Sequence, residues 1–427
     1  MLLITRANST YNLSKYKKAL ADFLISYMVY FIVLFIEFLL IYQFDYLQKN
    51  KNKWIWYYFI MVVLICIAGF RYNLGIDTFR YQKYYETSIT PIYDLTLLDL
   101  EYSRYQPLYV ILCSLCKTVV SDFWFFQLIH AALVNSVIFY FFRKYTKYVF
   151  VAVCLYSLSI YLGYNMETMR ASCAVVMMLL GYDQFKEGRK ILSLLFFIAS
   201  YLFHVEAIIL FPLYLYLLLA DKKVTLGKNV FIIAIILTII TPLLASILRN
   251  NLLLFALTAS IGDKIDIYAS TGFNSSLNWK GIIGTVVATL ALPVIFIYSF
   301  GKQKKHFSHN AMLLITLLVF LLCVPLFIFY RYKEFLTPFM ILLMSEAFGL
   351  NKIHIPGGLI LGFKSFLLKI LIILLPYFGV GVIGKLKPLP DVNIPAYWEY
   401  YPYSSIFNET DYSERHRLYD YYIDGYE

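Results

Sequence analysis

Residues 54–85 read Trp54-Ile-Trp-Tyr-Tyr-Phe-Ile-Met-Val-Val-Leu-Ile-Cys-Ile-Ala-Gly-Phe70, then Arg71-Tyr-Asn-Leu-Gly-Ile-Asp-Thr-Phe-Arg-Tyr-Gln-Lys-Tyr-Tyr85. The first half carries no charge and has the length and composition of a helix that spends most of a bilayer's thickness out of water. The second half sets two arginines and an aspartate among tyrosines where the apolar run stops. Charge at the mouth of an apolar bundle is costly to desolvate, so Arg71, Asp77 and Arg80 are expected to serve a ligand rather than fill space.

Working outward, the rest of the chain repeats the first half of that pattern. It is 61% hydrophobic, 19% aromatic and 15% charged over 427 residues, with mean hydropathy +0.68. A water-soluble globule of this composition would expose large apolar patches. The expected fold is therefore all-α, a polytopic helical bundle in a membrane. Candidate spans lie around 24–44, 54–70, 123–142, 149–164, 171–185, 190–203, 205–220, 229–248, 281–300, 311–330, 334–349 and 358–383, about a dozen in all. This leaves a polar segment 1–23, a transmembrane domain 24–384 with aqueous loops 71–106 and 249–280, and a tyrosine-rich tail 385–427. A catalytic site must then be assembled from loops and helix ends.

The formal charge of +11 does not indicate nucleic acid, because the cations sit in short clusters between apolar runs rather than on one face of a domain. Arg143, Lys144 and Lys147, then Lys186, Arg189 and Lys190, then Lys222, Lys223 and Lys228, then Lys302, Lys304 and Lys305 recur after every second run. By the positive-inside rule these loops are expected in the cytoplasm. Arg170, His204, Glu206, the loop 249–280, Arg331 and the tail then face the other side. The amino-terminal third allows two topologies. If 107–120 spans, 71–106 is cytoplasmic; if 107–120 is re-entrant, 71–106 joins the external face. The short length of 107–120, with Ser114 and Lys117 inside it, favours re-entrance, although Lys15, Lys17 and Lys18 then lie on the disfavoured side.

All six cysteines fall within apolar runs and read as small buried hydrophobes, Cys113 and Cys116 included. The first 23 residues are polar and the run after them holds Glu37, so no cleavable signal peptide is expected. No metal and no cofactor is expected. Asp77 has no carboxylate neighbour within a few residues, Asp94, Asp99 and Glu101 do not build an octahedral oxygen site, and no glycine-rich phosphate loop ends in lysine.

Asn165, Glu167 and Arg170 mark a second polar junction, followed by small residues Ala171, Ser172, Cys173 and Ala174 that let helices approach closely. Arg170 can point into the bundle or snorkel to the headgroups. His204 and Glu206 form the turn of an otherwise apolar hairpin, where a histidine is either a base or a structural hydrogen-bonder. Arg331, Lys333 and Glu334 read as a loop before a run with Pro338 near its start.

Taken in order, Arg71-Tyr-x-x-Gly75-x-Asp77-x-x-x-Tyr81, Asn165-x-x-x-x-Arg170-Ala-Ser-x-Ala174, Phe203-His204-x-x-Ala207 and Tyr401-Pro402-Tyr403 resemble the EpsG/Wzy-type polysaccharide polymerases of bacteria. The family pattern often has glutamine where Ser172 stands here. The resemblance implies a multi-pass enzyme of the bacterial inner membrane. It would move a growing glycan from one undecaprenyl-diphosphate carrier to a lipid-linked repeat unit, with membrane lipid, a chain-length regulator and a flippase as partners. Arg71, Arg80, Arg170 and Arg331 would then clamp the diphosphate, since the planar guanidinium makes bidentate bonds to phosphate. Asp77, His204 and Glu167, with Glu206 behind them, are the acid–base candidates. Tyr72, Tyr81, Tyr85 and Asn165 would contact sugar, and Tyr84, Tyr397, Tyr400, Tyr401 and Tyr403 offer either sugar platforms or an interfacial belt. A lipid-linked oligosaccharide flippase and a single-transfer ligase are the alternatives. The flippase would be expected to show an internal repeat.

Overall fold

A computed structural model describes residues 28–209, 328–350 and 392–424, with positions 26, 211, 214, 217, 218, 316, 366, 367 and 389. The described chain is helical. Its extended pairings are two isolated bridges, Arg71 to Ser405 and Ser405 to Asn408. In chain order the helices are α1 (Met28–Tyr46), α2 (Lys53–Gly69), α3 (Ile76–Thr87), α4 (Leu97–Glu101), α5 (Pro107–Val119), α6 (Phe123–Tyr145), α7 (Val149–Ser159), α8 (Met169–Lys186), α9 (Lys190–Phe203), α10 (Ile328–Leu350) and α11 (Ser413–Asp424). Among the described residues the all-α expectation holds. Among the described residues two helices, α1 and α6, are long and apolar enough to cross a bilayer, while α2, α5, α7 and α9 are shorter apolar helices. The expected spans 229–248, 281–300 and 358–383, most of 205–220 and 311–330, the segment 1–23, the loop 249–280 and the two later lysine clusters lie outside the described residues.

Helices α8 and α9 form an antiparallel hairpin turned at Gly188, whose φ of 80° suits glycine. They pack closely because Gly181 faces Phe196 and Phe197, and a Cβ there would come within 3.2 Å of both side chains. Ser193 Oγ donates to Gly181 O and Ser200 Oγ to Ala174 O, each at 2.7 Å. Helix α6 crosses beside α2 and α8, with Phe139, Phe141 and Phe142 fully buried.

The bundle has two distinct ends. At the basic end Lys144 Nζ lies 2.6 Å from Asp183 Oδ1 and also pairs with Glu187, which in turn binds Arg189. There Lys53 reaches Asp45 at 3.4 Å, and Asp45 Oδ2 accepts from Phe150 and Val151 N–H at 2.8 Å, capping α7. The start of α8 and the ends of α2 and α9 make the opposite end, with Arg71, Arg170 and His204.

Helix α5 stays at that second end. Near its start Tyr105 and Tyr109 pack on Tyr81 of α3. At its close Lys117 Nζ donates to Tyr85 O at 2.7 Å and Tyr85 OH donates to Val120 O at 3.2 Å. Both ends of α5 thus meet one helix, and α5 packs along the length of α3.

Two expectations change. Arg331, Lys333 and Glu334 sit in the first turns of a continuous α10 rather than in a loop, and Pro338 lies inside that helix. Proline there withholds the N–H that would reach the Glu334 carbonyl. Tyr164 OH donates to that same carbonyl and satisfies it. The tail is also no loose appendage: Ile394 and Leu418 are buried with Ile76 of α3.

Candidate functional site

The site is built where α3 begins. Gly75 has φ of 90°, and a Cβ there would fall 2.8 Å from Met166 O and 2.9 Å from Glu167 Oε1. Only glycine lets the chain pass this close to the 163–168 turn. Just beyond it, Glu167 Oε1 accepts from Ile76 N–H at 2.7 Å and Glu167 Oε2 from Asp77 N–H at 2.8 Å. Thr78 Oγ1 donates to Met166 O at 2.7 Å. The carboxylate therefore caps α3 from another part of the chain, and the helix dipole favours its charge. Burial, then the nearby Asp77 and Glu399 carboxyls, push its pKa up against those two N–H donors. Glu167, expected as an acid–base group, is held as a cap by both oxygens.

Arg71 is 1% exposed. Its Nη1 donates to Ala68 O at 2.5 Å, its Nη2 lies 3.4 Å from Thr78 Oγ1 and 3.5 Å from Met169 Sδ, and its Nε has no partner. Burial lowers its pKa to about 10, which still leaves it cationic. It sits beneath the α3–α8 junction, so its expected place in a diphosphate clamp is corrected to that of a buried cation joining α2 to α8.

The exposed chemistry lies one layer out. Asp77 and Arg80 pair at 3.6 Å with side chains 42% and 31% exposed. Arg170 donates from Nη1 to Gln106 Oε1 at 3.1 Å, hydrogen-bonds the Tyr81 side chain, and holds its guanidinium carbon 4.2 Å from the ring centre of Tyr105. Arg104 approaches the same ring at 5.9 Å. Asp77 is close enough to Tyr81 and Tyr105 to raise their phenols further above the ordinary range, where burial has already pushed them.

His204 ends α9, is 7% exposed, and accepts at Nδ1 from Glu206 N–H at 3.2 Å. In the neutral ring the proton is then on Nε2. The ring centre of Phe335 on α10 is 6.5 Å away. Arg331 is placed by its backbone alone, and its side chain lies outside the described residues.

Three of the expected sugar contacts are corrected. Asn165 is fully buried, binding Asn135 at 2.9 Å, Tyr156 OH at 3.1 Å and Tyr161 O at 2.8 Å. Tyr85 is 1% exposed with its hydroxyl spent on Val120, and Tyr81 is 6% exposed within the Tyr105–Tyr109 cluster. Tyr72 stays half-buried, its backbone held by Ser404 at 2.9 Å and 2.6 Å. Tyr400 and Tyr403 are likewise buried, and Tyr403 OH donates to Ile67 O at 3.1 Å.

Sequence reading missed Arg104, Gln106 and Arg415. Arg415 is 1% exposed and ties the tail together through Trp398 O at 3.1 Å, Ser404 Oγ at 2.9 Å and Pro402 O. Nothing in its charged sequence neighbourhood marks it as buried. Arg104 lies three residues before the run 107–120, as Arg170 lies directly before the run 171–185, and nearness to a run's start could have found it. Among the described residues no three His, Cys, Asp or Glu side chains gather to hold a metal.

No curated protein and no solved structure matches the chain. A family model does, over residues 54–380, from the first apolar run of this site through α10 and beyond, and the chain belongs to the EpsG family.

Proposed function

We propose that this chain is a membrane glycosyltransferase that polymerises glycan, transferring a growing chain from an undecaprenyl-diphosphate carrier to a lipid-linked repeat unit on the external face. EpsG membership gives the coarser statement, a polysaccharide-polymerase type of function in a membrane protein. The observation that carries the finer one is the gathering of Asp77, Arg80 and Arg170 at the end of the bundle opposite Lys53, Lys144 and Arg189. A polyprenyl carrier stays in the bilayer, so its reaction belongs at helix ends beside lipid. Breaking a glycosyl–phosphate bond builds charge on the leaving diphosphate, and fixed guanidinium groups stabilise it. Asp77, half-exposed beside Arg80, is the base for the acceptor hydroxyl. Glu167 and Gly75 position it.

Purified full-length protein in lipid nanodiscs, given undecaprenyl-diphosphate-linked repeat units, is expected to yield a ladder of longer glycans. A single elongated product would indicate a ligase. Unchanged chain length would discard both enzymatic readings and leave a flippase.

A further inference from the structure

We propose that the carboxy-terminal tail is a positioning part of this site: Arg415 and Ser404 hold the strap 398–406 against the link between α2 and α3, and the strap sets where Asp77 and Arg80 stand. The inference rests on the reading of those two as reacting groups, while the geometry of the strap stands apart from it. The family model ends at residue 380, so the strap lies beyond the matched region.

The link from Phe70 to Gly75 belongs to neither helix, and its backbone polar groups need partners. The tail supplies them. Phe70 O accepts from Ile406 N–H at 3.0 Å, Tyr72 N–H donates to Ser404 O at 2.9 Å, and Gly75 N–H donates to Glu399 O at 2.9 Å. Ser404 Oγ donates to Tyr72 O at 2.6 Å, and Arg71 bridges Ser405. The Tyr400 phenol bonds the Glu167 carboxylate, the same group that accepts from Ile76 and Asp77 N–H. Farther along α3, the Phe79 ring lies 5.2 Å from those of His416 and Tyr419 on α11. A 12-residue helix is marginal by itself, so its orientation follows from what holds its start.

Arg415 in turn fixes the strap. It is 1% exposed and donates from Nε to Trp398 O at 3.1 Å, from Nη1 to Ser404 Oγ at 2.9 Å, and from Nη2 to Pro402 O. Acceptors from 398 to 404 are thus gathered on one planar fork, a geometry that a lysine ammonium does not reproduce. A continuous path of hydrogen bonds runs from Arg415 through Ser404 Oγ to Tyr72 O. Arg415 touches neither Asp77 nor Arg80; it is a positioning residue that acts through Ser404.

The test pairs amide hydrogen exchange with turnover, on the full chain in nanodiscs. In Ser404→Ala and in Arg415→Lys, peptides spanning 70–79 are expected to exchange at least about tenfold faster than in wild type, with α6 and α8 unchanged. In the ladder assay both variants should lower kcat about tenfold and leave KM within about twofold, since displacement rather than lost binding is the cause. Arg417→Ala is the control: this exposed residue of α11 bonds Val392 O at 3.3 Å, outside the strap, and an effect from it equal to that of Arg415→Lys overturns the assignment. Wild-type exchange at 70–79 and a wild-type ladder in both variants overturn the proposal and leave the polymerase reading intact. Faster exchange spread equally through α6 and α8 also overturns it, by making the tail a general stabiliser, as does faster exchange at 70–79 with unchanged turnover. If wild type itself builds no ladder while Ser404→Ala still loosens 70–79 alone, the polymerase reading falls and the hold of the strap on α3 stands.

Discussion

The two ends of the bundle treat positive charge differently. At the basic end Lys53, Lys144 and Arg189 each have a carboxylate partner, Asp45, Asp183 or Glu187. At the other end Arg71, Arg104 and Arg170 rest on carbonyls, a thioether, an amide and aromatic rings, and of the described arginines there Arg80 is paired with a carboxylate. A cation answered inside its own fold holds structure, whereas a cation left with neutral partners in a site open to solvent keeps its electrostatic capacity for a ligand. The contrast separates architecture from chemistry more sharply than net charge does, since both ends are rich in lysine or arginine.

The largest expected effect comes from Gly75→Ala. Its Cβ would strike Met166 O and Glu167 Oε1 in a backbone region that costs an L-residue roughly 1–2 kcal/mol before any clash. Asp77 and Arg80 would shift with α3, and displacement by about 1 Å is enough to cost about 100-fold in rate. A drop of that size in ladder formation, with a lower thermal midpoint, is the expected result; wild-type turnover would show that the close approach is dispensable.

Next comes the direct comparison of ends. Arg170→Ala is expected to slow ladder formation about 100 to 1000-fold, the usual effect of removing one charge-stabilising donor. Lys144→Ala should instead act on stability and leave turnover within about twofold, since its partners lie at the far end. Equal losses of turnover from both would erase the distinction drawn here.

Glu167→Gln sharpens the comparison within the site. As a cap, Glu167 loses one of its two N–H acceptors and the favourable charge at the start of α3, about 1 kcal/mol. The rate is expected to fall about tenfold with the shape of its pH profile kept, whereas loss of one limb of that profile would make Glu167 the base after all. The smallest effect belongs to Arg189→Ala. Its side chain is 55% exposed beside Glu187, and such a pair contributes within about 0.5 kcal/mol, which chemical unfolding would resolve as no change.

Part of this site was legible without coordinates. The polar junctions at 71–85 and 165–170 stood out because they interrupt apolar runs, and the structure does bring them together, through Glu167 on α3 and Thr78 on Met166. The segment 107–120 does form a short helix, α5, that begins and ends against α3. What could not be read was burial within a polar stretch. Arg71 and Arg80 look alike in a sequence, yet one is 1% exposed and the other faces solvent beside Asp77. The tail shows the same limit. Its tyrosines suggested a surface, but Ser404, Ser405 and Ile406 pair with Tyr72, Arg71 and Phe70 and draw Tyr403 inward.

The sequence by itself determined the solvent of this protein, the helical class, the segregation of lysine clusters from the arginine-bearing motifs, and the family. These follow from composition and spacing, because apolar length and charge position act locally along the chain. Tertiary structure alone decided which arginine is buried and which is open, that a carboxylate at 167 caps a helix beginning at 76, and that Arg104 shares a ring with Arg170. Each of these depends on which segments meet across the bundle, and desolvation and hydrogen-bond geometry are set by that meeting rather than by neighbours in the chain.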